Sequence, residues 1–279
     1  PSRRPTLIAV LIGVAAALGL ASTATAAEPP NQNDPCSRDG RNSCDTTGVG
    51  SYKNYRYGIR WFGDYRGAIP GEAHTFCIDL RFWYPSEKYK YKLSETAGLE
   101  NRAGAPVSLE RLRRMAYALY HYGRSTSVDQ QAAVMLYTHA LMADGAPGEV
   151  GPSVIGATVE AIYRRIESDA TRLHGPYRLD IQLPSKIGVG QQAAATIRVL
   201  AASGAPVPNV DLELSANGAR GVPARISTGA TGVARITLTA DDADGVRLSV
   251  QTEQLASTLP RIFSPSTAAA ARNGQRLAA

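Results

Sequence analysis

The chain has 279 residues, 44% of them hydrophobic, enough for about two domains of ~100–200 residues with buried cores. Charged residues make up 19% and the net charge is +6, with no dense Lys/Arg run interleaved with aromatics, which argues against a nucleic-acid partner. No Cys/His cluster has zinc-ligand spacing, and neither a phosphate-cradling glycine loop nor an HExxH motif occurs, so neither metal nor cofactor is expected.

Residues 1–27 read as a signal peptide. Arg3 and Arg4 form the charged start, Leu7 to Ala21 is an apolar run, and Ala24-Thr25-Ala26 is a small-residue cleavage site. The run is short for a membrane span of ~20 residues. Its removal leaves a net charge of about +4. Export implies an oxidising compartment, where disulfides persist.

Residues 28–50 are polar and rich in Pro, Asn and Gly, and read as a linker stapled by one disulfide. Cys36 and Cys44 stand eight apart across a turn-rich loop and are expected to pair, for about 2–3 kcal/mol. That leaves Cys77. Between residues 51 and 95 two stretches alternate at period two. Tyr55, Tyr57, Ile59 and Trp61 form one, and Phe76, Ile78, Leu80 and Phe82 form the other. Two strands are expected there, with Cys77 on the face opposite Phe76 and Ile78.

Helical spacing takes over from 106 to 174. Leu109, Leu112, Met115, Ala116 and Leu119 share a face, with Ser108 as N-cap and Gly123 as stop. A second helix starts near Ser127 and ends at the Asp144–Gly148 turn. A third follows Ser153 and closes at Gly175-Pro176. On the second helix the wheel puts Gln130 on the apolar face with Val134, Tyr137 and Leu141, Gln131 at its edge, and His139 on the polar side. Ser127-Val128-Asp129-Gln130 also fits a capping box, with Gln130 reaching back to the Ser127 amide.

Residues 176–260 return to short alternating strands separated by Gly- and Asn-containing turns, which predicts a β-sandwich of about immunoglobulin size. It contains neither cysteine nor tryptophan. Through Gly204-Ala205-Pro206-Val207-Pro208-Asn209-Val210 and Thr231-Gly232-Val233-Ala234 it resembles bacterial Ig-like modules, which implies a stalk or spacer. Residues 261–279 show no clear pattern and read as a linker or truncated tail. With no apolar tail and no sortase motif there, membrane contact is expected only through the signal segment or an anchor outside this sequence.

A cysteine left over in an exported chain has four readings: a buried core thiol, an intermolecular disulfide, a catalytic nucleophile, or an atom already bonded. Phe76-Cys77-Ile78-Asp79 resembles the cysteine motif of thioester domains of Gram-positive surface proteins of actinobacterial type. Those domains pair the cysteine with a glutamine on a later helix, in a motif of the form Thr-Gln-x-Ala-Ile-Trp. Gln130-Gln131-Ala132-Ala133-Val134-Met135 occupies the matching place, with Gln130 for the usual Thr and Met135 for the usual Trp. Thr138 follows seven positions after Gln131.

The resemblance covers roughly residues 50–175. It implies a β-rich α+β domain with a helical insertion over 51–175, followed by the all-β Ig-like sandwich of 176–260. It also implies that Cys77 and one glutamine form an internal thioester that captures an amine-bearing protein or surface ligand, as in adhesins, without enzymatic turnover. The family spacing favours Gln131, and the capping box gives Gln130 a structural role instead, while the wheel keeps Gln130 open. Phe76, Trp83, Tyr84 and Tyr137 are candidate walls for such a bond by type.

Two other readings stand beside it. One is a non-covalent envelope protein with an inert Cys77. The other is a secreted cysteine peptidase or transpeptidase, which needs a histidine at Cys77. Of the four histidines, His74 is nearest in sequence but is expected on the other strand face.

Overall fold

The computed structural model describes residues 33–55, 58–80, 82–142 and 151–279. The expected signal segment and the Asp144–Gly148 turn lie outside the described residues. The described residues form a mixed, mostly β structure of fifteen strands and five α-helices, its strand pairs antiparallel, within a coarse α+β class.

The chain opens on a small hairpin, β1 (Ser37–Arg38) and β2 (Arg41–Asn42), turned by Asp39 and Gly40 at positive φ. The Cys36–Cys44 disulfide closes it. Residues 33–50 are therefore not a linker. Cys36 is buried in the main core, and its Sγ lies 3.3 Å from the Tyr89 hydroxyl.

β3 (Thr47–Tyr55) and β4 (Gly58–Tyr65) follow, paired so that Tyr55 faces Gly58. The single strand expected through Tyr55–Trp61 is thus divided, with Tyr55 ending β3 and Ile59 and Trp61 in β4, because alternation by itself carries no sign of where one strand stops. The two strands approach closely where Gly50 faces Gly63. A Cβ on Gly63, at φ 156°, would stand 2.2 Å from the Val49 carbonyl oxygen, so only glycine fits there.

β5 (Phe76–Cys77) is two residues long, not seven. Cys77, Ile78 and Leu80 are all buried, so the apolar run serves a bend inside the core and not a two-faced strand. β6 (Lys92–Ser94) comes next. α1 (Leu109–Tyr122) is capped as its sequence predicts: Ser108 Oγ accepts from the Arg111 amide, and the Gly123 amide donates to Leu119. α2 (Val128–Met142) is buried almost all round, between α1, α4, the β3–β4 hairpin and β5. The third predicted helix is two, α3 (Pro152–Ile155) and α4 (Ala157–Leu173), broken at Gly156.

Residues 178–251 form two antiparallel sheets. One has the order β10-β12-β8-β7 and the other β11-β9-β13. They comprise β7 (Arg178–Gln182), β8 (Gln192–Leu200), β9 (Asp211–Asn217), β10 (Ala219–Arg220), β11 (Arg225–Ser227), β12 (Val233–Ala240) and β13 (Arg247–Gln251). Ala195, Ile197 and Val199 of β8, Ala234 and Ile236 of β12, and Leu212 and Leu214 of β9 share one core. Strict alternation in β8, β9 and β12 made this part readable from sequence.

The last segment is neither linker nor tail. β14 (Ile262–Ser264), α5 (Ala268–Asn273) and β15 (Leu277–Ala278) return to the first unit. They complete a four-stranded sheet, β5-β15-β14-β6, in which Leu277 faces Cys77 and Ala278 faces Phe76. Ile262, Phe263, Leu277 and Ala278 join the core around α2. The β-sandwich is therefore an insert between α4 and β14, and both of its ends run back to the unit that holds Cys77.

Candidate functional site

α2 decides which side chains are inside. It is surrounded, so it has no polar face for His139 to occupy. Gln131, Thr138 and His139 are all buried, at 0%, 0% and 3% exposure. Gln131, and not Gln130, is the inward glutamine. Its Nε2 donates to the carbonyls of Gly123 (3.0 Å) and Ser125 (2.6 Å) in the α1–α2 loop, and its Oε1 meets no hydrogen-bond partner among the described residues. Gln130 is half-buried, and its Nε2 donates to the Tyr122 carbonyl at 3.0 Å. Half of the expected capping box forms: the Gln130 amide donates to Ser127 Oγ at 3.3 Å, while the Gln130 side chain turns to α1. Both carboxamides thus bond carbonyls at the end of α1 or just beyond it, groups that the helix itself leaves unsatisfied.

Cys77 is fully buried against the C-terminal half of α2, about two turns along from Gln131. Thr138 shares its hydroxyl between the Cys77 carbonyl (3.2 Å) and the Met135 carbonyl (2.8 Å). The Asp79 amide donates to Cys77 Sγ at 3.3 Å, and His139 Nε2 lies 3.3 Å from the same sulfur. Sequence reasoning missed this histidine. The sign of it was there: from Ala132 to Met142 only Thr138, His139 and the Tyr137 hydroxyl interrupt an apolar run, which leaves no room for a solvent face. His74 is elsewhere, with Nδ1 2.7 Å from Asp64 Oδ2.

A seam of intervening contacts, Gly123 and then Phe76, separates Gln131 from Cys77. The Gly123 that holds the Gln131 carboxamide also abuts Phe76: a Cβ there would sit 3.2 Å from Phe76 Cε2. Of the four candidate wall residues, Phe76 lines this seam. Trp83 packs on Tyr89, Tyr84 bonds the Gly40 carbonyl of the first hairpin, and Tyr137 packs on Tyr163 of α4. Tyr65 and Tyr91, which the sequence did not single out, interact electrostatically with Cys77. Burial raises both phenol pKa values well above the usual range, and the next influence raising them is charge on Cys77. A surface cavity of about 550 Å3 reaches Phe76 and Gly123 from outside, with Leu119, Tyr120, Glu72 and His74 among its walls.

Asp79 anchors the far side. It takes Arg276 Nε at 2.8 Å on Oδ2 and Arg276 Nη2 at 2.8 Å on Oδ1, and it takes Arg102 Nε at 2.8 Å on Oδ2. Burial by itself would push this carboxyl up, but the two guanidiniums outweigh it and hold it below its usual value. His139 is lowered to about 4 by burial, which the Asp79 charge opposes only in part.

The shift of His139 predicts acid sensitivity. Native His139 stays neutral, whereas an unfolded chain protonates it below about pH 6.5. Its contribution to stability is complete above that pH and declines as pH falls toward 4, by up to about 3 kcal/mol. Asp79, depressed below 3.8, gives up its share only at lower pH still. Urea midpoints measured at pH 7 and pH 4.5 should drop steeply for the natural chain and much less for His139→Phe.

Among the described residues no group of three or more His, Cys, Asp or Glu could hold a metal ion, and no helix is long and apolar enough to cross a membrane. No protein-family model matches the chain, and no curated protein does. Among solved structures it is similar to the thioester domain of the Enterococcus faecium TIE86 protein, at 11% identity and a TM-score of 0.33, over 83% of this chain and 86% of that one. At that score the likeness is too slight to assign a fold or a chemistry.

Proposed function

We propose that Cys77 and Gln131 form an internal thioester through which an exported protein bonds an amine-bearing partner covalently. The observation that carries this reading is the Gln131 carboxamide. It is wholly buried where α2 meets the α1–α2 loop, gripped by its nitrogen, and its oxygen meets no hydrogen-bond partner among the described residues. A buried acceptor without a partner costs about 1–3 kcal/mol, and an apolar residue of similar size would avoid that cost. The Cys and Gln motifs noted in the sequence, and the disulfide that suits an oxidising compartment, support the same reading.

In the unreacted chain, Cys77 Sγ attacks Gln131 Cδ and ammonia leaves. The thioester so formed is a stored electrophile, because a thiol departs far more readily than ammonia. A partner amine attacks the carbonyl, the C–S bond breaks, and the partner is held by an amide. The buried seam excludes water that would hydrolyse the bond. The cavity beside Phe76 and Gly123 is the approach for the amine. The Ig-like insert, tethered at both ends, serves as a side module of this unit and not as a spacer in series with it.

The Cys77–His139 contact also favours a second reading, a cysteine hydrolase. Against it, sulfur and imidazole are both buried, at 0% and 3% exposure, whereas a hydrolase must admit a whole substrate chain to the sulfur and not a single amine group. Intact mass separates the readings. With the thioester formed, the mature chain weighs about 17 Da less than the thiol-plus-amide form, beyond the two hydrogens of the disulfide, and methylamine adds about 31 Da. Cys77→Ala should abolish both shifts. Full mass with turnover of a peptide or ester supports the hydrolase. Full mass without turnover leaves an inert Cys77.

A further inference from the structure

Resting on the thioester reading, we propose that His139 is the catalytic base and acid of that bond, taking the proton from Cys77 Sγ and passing it to the departing nitrogen. Its Nε2 is in hydrogen-bond contact with the sulfur, a reacting atom, at 3.3 Å. Its Nδ1 is buried and meets no hydrogen-bond partner among the described residues. Whichever nitrogen carries the proton, the ring leaves one polar atom unsatisfied in the core, a cost that phenylalanine or leucine would avoid. The imidazole is therefore poorly explained as packing. Burial holds the ring neutral, the form that accepts a proton, and lowers its basicity, which the Asp79 charge restores in part.

The surroundings suit the charges that develop. The groups around His139 and the sulfur include the Asp79 amide, the Asp79 carboxylate and, beyond it, Arg276, with the un-ionised Tyr65 and Tyr91 phenols also interacting with the sulfur. The amide donates to the sulfur and favours thiolate. The Asp79 carboxylate favours the imidazolium formed beside it, and Arg276 also feels the charge on Cys77. The step balances. The Sγ–H proton moves to Nε2, and thiolate adds to Gln131 Cδ. The C–N bond breaks, and imidazolium returns the proton to the leaving nitrogen, giving ammonia and a neutral His139. In capture the order reverses: an amine attacks, the C–S bond breaks, and the proton lost by the amine nitrogen reaches Sγ through His139.

The test uses the full chain, followed by intact mass and ammonia release. The natural chain should show the deficit of about 17 Da. His139→Gln keeps a hydrogen-bonding group but no base, and should form the bond at least about 100-fold more slowly, at native circular dichroism. A His139→Gln chain that forms the bond as fast as the natural one overturns the role of His139 and leaves the thioester standing. Full mass in the natural chain overturns the thioester itself. Should His139→Gln not fold, the natural chain is refolded in H2O and in D2O, and ammonia release is timed once the dichroism is native. Slower release in D2O supports proton transfer in the step, and equal rates overturn it.

Discussion

Replacing Asp79 with Ala should cost the fold about 3–5 kcal/mol, read as a fall in the urea midpoint at pH 7. The carboxylate is 4% exposed and is the ionic partner of Arg276, whose side chain is itself 11% exposed. Removing it leaves a mostly buried guanidinium with, among the described residues, the Glu100 carbonyl to bond, and loosens Arg102, which reaches the Gly274 carbonyl. An uncompensated buried cation is far more costly than the pair was beneficial. The damage should concentrate in the returning segment, because Arg276 precedes Leu277, the residue paired with Cys77. Asp79→Asn, which keeps hydrogen-bonding capacity, should fall between. Asp180→Ala is the contrast. It breaks a half-exposed pair with Arg198 and should cost less than about 1 kcal/mol. Equal losses for Asp79 and Asp180 would mean that the buried network does not anchor the last strand.

That network also marks where reading the sequence stopped. The inserted sheets were legible because β8, β9 and β12 bury every second residue, and α1 was legible because one face is apolar and both caps are of the right type. The Cys36–Cys44 pair followed from spacing. α2 misled because a helix buried all round has no apolar side to phase a wheel. Gln130 was therefore placed inward, Gln131 at the edge and His139 outward, while the structure buries the latter two. β5, β14 and β15 are two or three residues long, too short for any period to declare itself. The return of the last nineteen residues depends on Leu277 meeting Cys77 across 200 positions, and on Arg276 meeting Asp79. Neither pairing leaves a local signal. His139 was missed for a related reason: the apolar run from Ala132 to Met142 signals its burial, but nothing local signals that Cys77 is what it meets.

Gln131→Ala should abolish the mass deficit and all methylamine uptake, while Gln130→Ala keeps both. At 3.6 residues per turn, Gln131 lies within about 20° of Thr138, two turns along α2, and Thr138 bonds the Cys77 carbonyl. Gln130 lies about 180° from His139, the residue on the sulfur, and its carboxamide is engaged by the Tyr122 carbonyl of α1. Exposure separates them as well. A thioester at half-buried Gln130 would meet water, whereas one at fully buried Gln131 is shielded until an amine comes past Phe76. Gln131→Ala also releases the Gly123 and Ser125 carbonyls, so native circular dichroism must accompany its loss of uptake. Gln131→Glu serves as the isosteric check, since a carboxylate resists attack by a thiolate and fills the same space. Uptake surviving in Gln131→Ala and lost in Gln130→Ala would move the bond to the outward glutamine and would require α2 to turn by about a quarter or more of a revolution before the sulfur could reach it.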